Sequence, residues 1–370
     1  MAKRLHSDRW LFLLTILMVV FGLVMVFSAS AVVSTEQTGS PYTFLKRQLA
    51  WAVAGVAAML VVMRTDYRLY RRELVIFGSL SLTLLLLVLV LFGDPSHNTH
   101  RWFRIGSLSF QPSEMAKPVL ILFIAWFLDM RLSSGRDPQQ VVNDTRGTLL
   151  PLLSIVSVTV LLILIEPDLG TAVVVLLIGV GMLFAAGMRM RYFLYALAAA
   201  PALFYFLVWR VPYRRVRVEV FLDPFKDPQG KGFQMAQSLI AVGTGGLTGA
   251  GLMEGKQKLF YLPAPHTDFI FAVVAEELGL LGAGCLVLAF LVFLWRGLRA
   301  ASRAPDVFGR LLAIGVTIMI VCQALINFSV VVGLLPTKGI PLPFISSGGS
   351  SLLFNLIAVG MLLNVSQHAD

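Results

Sequence analysis

The sequence is poor in charged residues and in cysteine. Only 14% of its 370 residues are charged, against roughly 25% in soluble domains, which argues against an ordinary water-soluble fold. Its two cysteines, Cys285 and Cys322, both lie inside apolar runs and predict neither a disulfide framework nor a metal site. An internal repeat of fixed period is also lacking, which argues against the inverted-repeat architecture of many transporters.

Long apolar runs are what the sequence has in abundance, with 57% hydrophobic residues. Runs of ~18 or more such residues predict an all-α polytopic membrane protein. The first run is too long for a signal peptide and lacks a cleavage pattern, so we expect it to be retained. We expect one domain over 1–370 with about ten transmembrane helices, near residues 10–33, 47–63, 73–92, 114–130, 148–165, 169–187, 191–210, 269–295, 308–332 and 349–367.

The net charge of +10 is better explained by membrane topology than by a nucleic-acid partner. Arginines are concentrated in the N-terminal segment and in the loops that follow predicted spans 2, 4, 6 and 8. Positive residues favour the cytoplasmic side, so this pattern predicts that both termini face the cytoplasm. Residues 211–268 then form one large extracytoplasmic loop between spans 7 and 8. Within it, the spacing of residues 233–242 predicts a short helix on the membrane. The glycine-rich residues 243–251 predict either a loop whose backbone approaches a ligand or a plain turn region.

Asp268 is the first candidate for chemistry, because it lies at the mouth of the eighth predicted span. A carboxylate there is partly desolvated, which raises its pKa and makes it a better base. His266 and Thr267 precede it as candidate binding residues. Three alternatives stay open: Thr267 or Asp268 caps the helix, His266 is a turn residue, and Glu276 and Glu277, further inside the span, pair with a basic residue of another span.

A second candidate group lies at the start of the fourth predicted span. Ser113 is expected to cap this helix after Pro112. Glu114 and Lys117 have i,i+3 spacing and can pair across one turn, in a polar cavity or as a purely structural pair. Arg101, a short distance upstream, is a further candidate cation.

The third candidate group is the segment 335–351, in which three prolines and three glycines exclude a continuous helix. Irregular backbone at membrane depth occurs only where it is buried in protein or lines a cavity. Residues 346–351, with Ser346 and Gly348 as the candidate binding residues, could offer N–H groups to an anion at the start of the last span, and Lys338 adds a cation. The alternative is a re-entrant connector with no ligand. All three groups fall on the predicted outer side, and such a pocket suits an anionic, lipid-linked substrate.

These stretches resemble the SEDS family (FtsW, RodA and SpoVE), and the resemblance runs nearly end to end. It is carried by long motifs in one order, at residues 98–117, 166–171, 221–224, 237–241, 266–272, 276–279 and 341–351. Residues 258–263 and 335–339 look more like the division branch than the elongation branch. One departure is Ser347, where the family usually has tyrosine.

The resemblance implies a peptidoglycan glycosyltransferase that polymerises lipid II on the outer face of the bacterial cytoplasmic membrane. In such a protein Asp268 corresponds to the essential aspartate, and Glu114 and Lys117 to a polar cavity pair. The implied partners are lipid II, the growing glycan strand, a class B penicillin-binding protein that crosslinks the product, other membrane proteins of the division machinery and membrane lipids. The implied location is the division septum.

The mechanism that we expect uses Asp268 as a general base on the sugar 4-hydroxyl, with inversion at the anomeric carbon and loss of undecaprenyl pyrophosphate. Lys117, Arg101 and Lys338 are the candidate cations that stabilise the negative charge of that leaving group. A divalent cation could contribute to the same stabilisation. Alternatives are a flippase for lipid II, an elongation rather than a division polymerase, and a non-catalytic scaffold.

Overall fold

The structure is a computed structural model that describes residues 7–93, 101–105, 108–133, 135, 137–259 and 261–368. The predicted residues 98–100, 106–107 and 260 of the family motifs lie outside this description. Thirteen α-helices and one hairpin are found among the described residues. In chain order the elements are α1 (Arg9–Thr38), α2 (Thr43–Arg64), α3 (Glu73–Val90), β1 (Phe103–Ile105), β2 (Leu108–Phe110), α4 (Pro112–Leu132), α5 (Pro138–Val142), α6 (Leu150–Ile165), α7 (Leu169–Ala185), α8 (Met190–Phe204), α9 (Pro212–Leu222), α10 (Phe233–Thr244), α11 (Ile270–Ser302), α12 (Val307–Val331) and α13 (Gly349–Gln367).

The prediction of an all-α polytopic membrane protein is confirmed. Eight helices among the described residues are long and apolar enough to cross a membrane. The remaining two predicted spans coincide with α4, which has 21 residues, and with α7, which has 17. Every predicted span therefore falls on one helix, while the exact number of crossings and the orientation stay predictions.

Capping residues fix where several helices begin. Asp8 accepts hydrogen bonds from the backbone N–H groups of Trp10 and Leu11, both at 3.1 Å, at the start of α1. Asp168 does the same at α7 through the N–H of Thr171, at 3.1 Å. Such caps satisfy N–H groups that have no partner inside the helix. The sequence therefore sets these boundaries locally, before tertiary packing.

Helices α12 and α13 form the centre of the bundle. In their most apolar stretches 72% and 78% of residues are buried, against 0% in α8 with its continuation Tyr205–Trp209. Helix α13 packs along α2, and α12 packs against α4, α7 and α11. The irregular segment between α12 and α13 is thereby placed next to the start of α11, which carries the first candidate group.

Residues 211–268 contain two helices, α9 and α10. The predicted helix over 233–242 is confirmed as α10. Helix α9 is stabilised by Pro212 at its first turn and by an ion pair of 2.7 Å between Arg215 and Glu219, spaced i,i+4. The antiparallel hairpin of β1 and β2, with Phe103 opposite Phe110, was not predicted, because two three-residue strands carry too little periodicity to detect.

The glycine-rich residues 243–251 pack against the backbone of α11, at a kink centred on Gly279, whose φ is 63°. Ala250 donates its N–H to the Glu276 carbonyl, and Leu280 donates to the Gly246 carbonyl, both at 2.9 Å. A side chain at Gly249 would place its Cβ 2.1 Å from the Glu277 carbonyl oxygen. The glycines therefore allow close packing on α11, and the predicted approach of this backbone to a ligand stays a prediction.

Candidate active-site cavity

A cavity of about 300 Å³ opens at one end of the bundle. Its walls come from the turn before α7, from α9, from the residues just before α11 and from the segment before α13. Four basic and two acidic side chains line it, namely Arg101, Arg214, Arg217, Lys338, Asp168 and Asp268. The fold thus brings together residues that are distant in the sequence, and the cavity carries an excess of positive charge.

Asp268 is the acid in this cavity that lacks a partner. Its carboxylate makes no hydrogen bond or ion pair with another described residue, although its side chain is half-buried. Removal from water disfavours the charged form. Burial therefore raises the pKa of Asp268 to about 6, against the opposing influence of Arg217 and Arg101. A free carboxylate with such a pKa can accept a proton near neutral pH.

Asp168, the second carboxylate of the cavity, is occupied by its neighbours. It accepts hydrogen bonds from the Gln111 side chain at 3.0 Å and from the Thr171 hydroxyl at 2.8 Å, besides capping α7. Hydrogen bonds of this kind hold the Asp168 carboxylate in a fixed position. Asp168 is therefore part of the cavity wall, and Asp268 is the acid that is available to a ligand.

Arg101 is held at the turn between α6 and α7 by two backbone carbonyls. Its guanidinium donates to the carbonyl of Glu166, at 2.9 Å, and to that of Pro167. The Glu166 side chain is fully buried and has no hydrogen-bond partner among the described residues. Burial and the nearby Asp168 raise the pKa of Glu166 to about 9. Glu166 is thus neutral at pH 7, and the charge of Arg101 remains available to the cavity.

Arg214, Arg217 and Lys338 supply the other positive charges. Arg217 donates to the Thr337 carbonyl at 2.9 Å, which joins α9 to the segment that carries Lys338. Arg214 donates to the Leu207 carbonyl at 2.7 Å. Burial, with the charges of Arg217 and Arg214, lowers the pKa of Lys338. Crowded cations that repel one another in this way favour an anionic ligand between them.

Glu114 and Lys117 form the predicted pair, at 2.8 Å, but they are not among the residues that line the cavity. Both side chains are nearly fully buried, at 3% and 2% exposure. Lys117 also donates to Gln323 at 2.8 Å, and Gln323 donates to the Pro341 carbonyl at 2.9 Å. Through Gln323, the pair therefore stabilises the segment before α13. In this structure the charge of Lys117 is paired with that of Glu114, and a role of Lys117 toward the leaving group stays a prediction.

Ser113 is not the cap of α4, which corrects that prediction. Gln111 occupies the capping position, and Pro112 begins the helix. The Ser113 hydroxyl accepts a hydrogen bond from the Gln111 side chain at 2.9 Å, beside the bond from Gln111 to Asp168. Ser113 thus contacts the cavity wall through Gln111.

His266 and Thr267 link their segment to the segment before α13. The Ser346 hydroxyl donates to the Thr267 carbonyl at 2.6 Å, and the Ser347 N–H donates to the His266 carbonyl at 2.8 Å. The His266 ring packs on Phe44, with ring centroids 4.7 Å apart, and burial lowers its pKa to about 4. None of these residues lines the cavity.

The predicted anion site at Ser346 and Gly348 is not supported by these contacts. The Ser346 N–H donates to the Leu342 carbonyl at 3.0 Å, and its hydroxyl accepts from the Leu342 N–H at 2.8 Å. Gly348 directly precedes α13 and does not line the cavity. The Ser346 groups therefore satisfy hydrogen bonds of the irregular backbone in this segment. Such backbone needs partners inside the protein when it lies within a membrane.

Glu276 and Glu277 are also occupied. Glu277 accepts from Lys258 at 2.6 Å, from Ser28 at 2.7 Å and from the Met253 N–H at 2.9 Å. Glu276 accepts from the backbone of residues 256 and 257. Glu277 does pair with a basic residue, but Lys258 belongs to residues 211–268 and not, as the alternative reading expected, to another span.

A metal ion would have few protein ligands here. Among the described residues, His, Cys, Asp and Glu side chains form no group of three or more that could hold a metal. Asp268 and Asp168 line the same cavity, and Mg²⁺ is often held by one or two carboxylates together with substrate phosphates. The donors fit a divalent cation only in that shared manner, so the metal stays a prediction.

Arg214 and Arg217 are cavity residues that the sequence argument did not select. Their i,i+3 spacing at the start of α9 places both on one helix face, and that spacing was the available signal. What the sequence could not show is that this face turns toward Asp268 rather than toward lipid headgroups.

The helical bundle and its charged cavity define a polytopic membrane protein with an enzyme-like pocket at one end. The chain belongs to the FtsW/RodA/SpoVE family: the model of this family, described as "Cell cycle protein", matches residues 8–370. The predicted family is thereby confirmed.

Relatives of known name match almost the whole chain. It is 44% identical over 360 residues to the "Probable peptidoglycan glycosyltransferase FtsW" of Geobacter metallireducens, covering 97% of this chain and 94% of that protein. It is 43% identical over 368 residues to "Stage V sporulation protein E" of Bacillus subtilis, with 99% of each covered. The first of these names bears out the predicted enzyme class, a glycosyltransferase.

Solved structures of similar proteins agree with the fold. One, described as "Structural coordination of polymerization and crosslinking by a peptidoglycan synthase complex", superposes with a TM-score of 0.79 at 32% identity, covering 99% of this chain and 100% of that one. Another is the rod shape determining protein RodA of Thermus thermophilus, with a TM-score of 0.70 at 29% identity and 98% and 97% coverage.

Proposed function

We propose that this chain polymerises lipid II into glycan strands at the outer face of the cytoplasmic membrane, with Asp268 as the general base. The names of the relatives support a peptidoglycan glycosyltransferase. The observation that carries the role of Asp268 is its carboxylate, which faces the cavity without a partner among the described residues and is surrounded by basic side chains.

In the proposed reaction, the 4-hydroxyl of one lipid-linked disaccharide gives its proton to a carboxylate oxygen of Asp268. The oxygen attacks the anomeric carbon of the growing strand as the bond from that carbon to the pyrophosphate oxygen breaks. Both electrons of the broken bond leave with undecaprenyl pyrophosphate. Attack from the face opposite the leaving group inverts the configuration at the anomeric carbon.

The leaving group gains negative charge in this step, so cations that face it lower the barrier. Arg101, Arg214, Arg217 and Lys338 are the cavity's candidates for this role. We favour them over Lys117, because Lys117 is paired and does not line the cavity. Three of the four are fixed by hydrogen bonds to backbone carbonyls. Such preorganised charges need little rearrangement during the reaction.

The direct test replaces Asp268 by asparagine in the purified protein, assayed with lipid II and its crosslinking partner. A general base contributes typically ~10²–10⁴-fold to a rate, so we expect a loss of that size in strand formation. Glu254→Gln is the matched control, since Glu254 is an exposed carboxylate of the same loop and does not line the cavity. Wild-type polymerisation by Asp268→Asn would remove Asp268 from the base role.

A flippase for lipid II is the second candidate, since it also needs an anion-binding cavity in a membrane. Lipid II confined to one leaflet of a vesicle distinguishes the two activities. Glycan strands that form without exchange between leaflets support the polymerase, and exchange without strands supports the flippase.

We further propose that the chain works beside a class B penicillin-binding protein at the division septum. A similar solved structure is described as a complex that couples polymerisation with crosslinking, which supports such a partner. The motifs at residues 258–263 and 335–339, which look more like the division branch, and a relative named FtsW at 44% identity support division over elongation. Fluorescence imaging of the tagged protein tests this, because a signal along the lateral wall instead of mid-cell would favour elongation.

A further inference from the structure

Asn327 joins the two chain segments that meet at the cavity. It lies on α12 and is only 2% exposed. Its side-chain Nδ2 donates to the backbone carbonyl of Asp268 at 2.9 Å and to that of Ile340 at 2.8 Å. One carboxamide thereby links Asp268, two residues before α11, to the segment that carries Lys338.

These two segments need such a tie because neither has regular secondary structure. Residues 261–269 form turns, and residues 334–348 are irregular between α12 and α13. Backbone of this kind is held by side-chain contacts rather than by a helix or sheet. A buried amide on a rigid central helix is a fixed reference point for both.

The two segments touch where the tie acts. A Cβ built at Gly339, the neighbour of Ile340, would lie 3.0 Å from Asp268 Oδ2. A small shift of either segment therefore moves the Asp268 carboxylate relative to Lys338 and to Arg217, which is bonded to Thr337. Reactions that depend on oriented groups lose up to ~10²-fold in rate when a group is misplaced by about 1 Å.

We propose that Asn327 is a positioning residue for Asp268: it sets the distance between the Asp268 carboxylate and the basic side of the cavity. This inference rests on the proposed function, in which Asp268 is the general base. Asn327 acts through the backbone of Asp268 and does not itself contact the reacting atoms.

The chain should remain folded without this tie, because the same two segments are joined elsewhere. Ser346 donates to the Thr267 carbonyl, and Ser347 donates to the His266 carbonyl. Removal of the Asn327 amide therefore loosens the geometry of the cavity without separating the segments.

The experiment compares Asn327→Leu with Asn364→Leu in the full-length protein. Asn364 is a matched control, since it is also buried and also ties backbone: Nδ2 donates to the Met63 carbonyl at 2.7 Å, and Oδ1 accepts from the Tyr67 N–H at 2.8 Å. It lies near the end of α13 that is remote from the cavity. The readouts are kcat, KM, the pH dependence of kcat/KM and the melting temperature.

We expect Asn327→Leu to lower kcat by roughly 10- to 100-fold with KM within about 2-fold of wild type, and to move the acid limb of the pH profile. Asn327→Gln keeps the carboxamide and should recover part of kcat. Asn364→Leu should lower the melting temperature and leave kcat and the pH profile unchanged. If leucine at position 327 prevents folding, Asn327→Asp, of the same shape, is judged by the same readouts.

A wild-type kcat and pH profile in a folded Asn327 variant would overturn the proposal. So would equal effects of Asn327→Leu and Asn364→Leu, which would show a purely structural role. The base role of Asp268 fails separately, since it is judged by Asp268→Asn.

Discussion

Asp268 lies just before α11 and Glu277 lies within it, nine positions further on, yet their surroundings differ in kind. Glu277 is fully buried and accepts hydrogen bonds from Lys258, Ser28 and the backbone of Met253. The Asp268 side chain is half-buried and lines the cavity, and its carboxylate has no partner among the described residues. The two acids therefore have different roles. The fully hydrogen-bonded carboxylate of Glu277 stabilises the fold, whereas the free carboxylate of Asp268 can take part in a reaction.

The difference shows how an acidic residue in a membrane protein should be judged. Buried charge is costly in hydrocarbon and needs compensation. For Glu277 the protein supplies it through a cation and two further donors. For Asp268 the cations are near but not bonded, which leaves room for a ligand between them and the carboxylate.

Removal of the cation beside Glu277 should have the largest effect on folding. Lys258→Leu leaves a buried carboxylate without its counter-ion, and breaking a buried pair in this way costs about 3–5 kcal/mol. We expect a correspondingly lower melting temperature in detergent, measured by thermal unfolding. The fraction that remains folded should polymerise lipid II at the normal rate.

Lys256→Leu is the control for this substitution, because the Lys256 side chain is exposed while its backbone N–H still bonds Glu276. An unchanged melting temperature in Lys258→Leu would contradict the structural role of Glu277 and so erase the contrast with Asp268.

Crowding of Asp268 should act on the rate rather than on stability. In Gly339→Ala the added Cβ would lie 3.0 Å from Asp268 Oδ2, tighter than ordinary contact, so the carboxylate has to move. We expect kcat to fall by up to roughly 10-fold, because the required shift is smaller than the misplacement of about 1 Å that can cost ~10²-fold. A steady-state polymerisation assay measures this.

Gly243→Ala provides the comparison, since a Cβ there would meet nothing within 4 Å. Equal activity of Gly339→Ala and Gly243→Ala would show that the space beside Asp268 is not used in the reaction.

Removal of a cavity cation should have a smaller effect, which acts through the pKa of Asp268. Arg217 lowers the pKa of Asp268 because a nearby positive charge favours the ionised acid. Arg217→Gln therefore raises this pKa, and the acid limb of kcat/KM moves to higher pH. Weaker attraction for pyrophosphate should also raise KM, by up to about 10-fold.

Arg215→Gln serves as the matched control on the same helix, because Arg215 pairs with Glu219 and does not line the cavity. A shift of the acid limb to lower pH in Arg217→Gln, or an equal shift in both variants, would be inconsistent with this account.

Much of the fold could be predicted from the sequence, because a membrane helix can be recognised from the length of its apolar run. All ten predicted spans coincide with helices, and Glu114 and Lys117 pair at their predicted spacing. Contacts between residues that are far apart in the chain were harder to predict. Whether Lys117 or Arg217 faces Asp268 depends on how the helices pack, and local spacing contains no such information.

The irregular segments show the same limit. The prolines of 335–351 correctly excluded a helix, but the sequence could not show that Ser346 bonds to Thr267 rather than to a ligand. Asn327 gave no signal at all, since a single asparagine in an apolar helix has many possible partners.

The pH dependence of kcat/KM in the wild-type protein tests the central claim most directly, because it reports the ionisation of the free enzyme. Asp268 must be ionised to accept the proton, and burial raises its pKa to about 6. We predict that kcat/KM falls as the pH drops through about 6, and that the residual activity of Asp268→Asn lacks this limb. A rate that stays constant down to about pH 4.5, or a limb that persists in Asp268→Asn, would contradict the account.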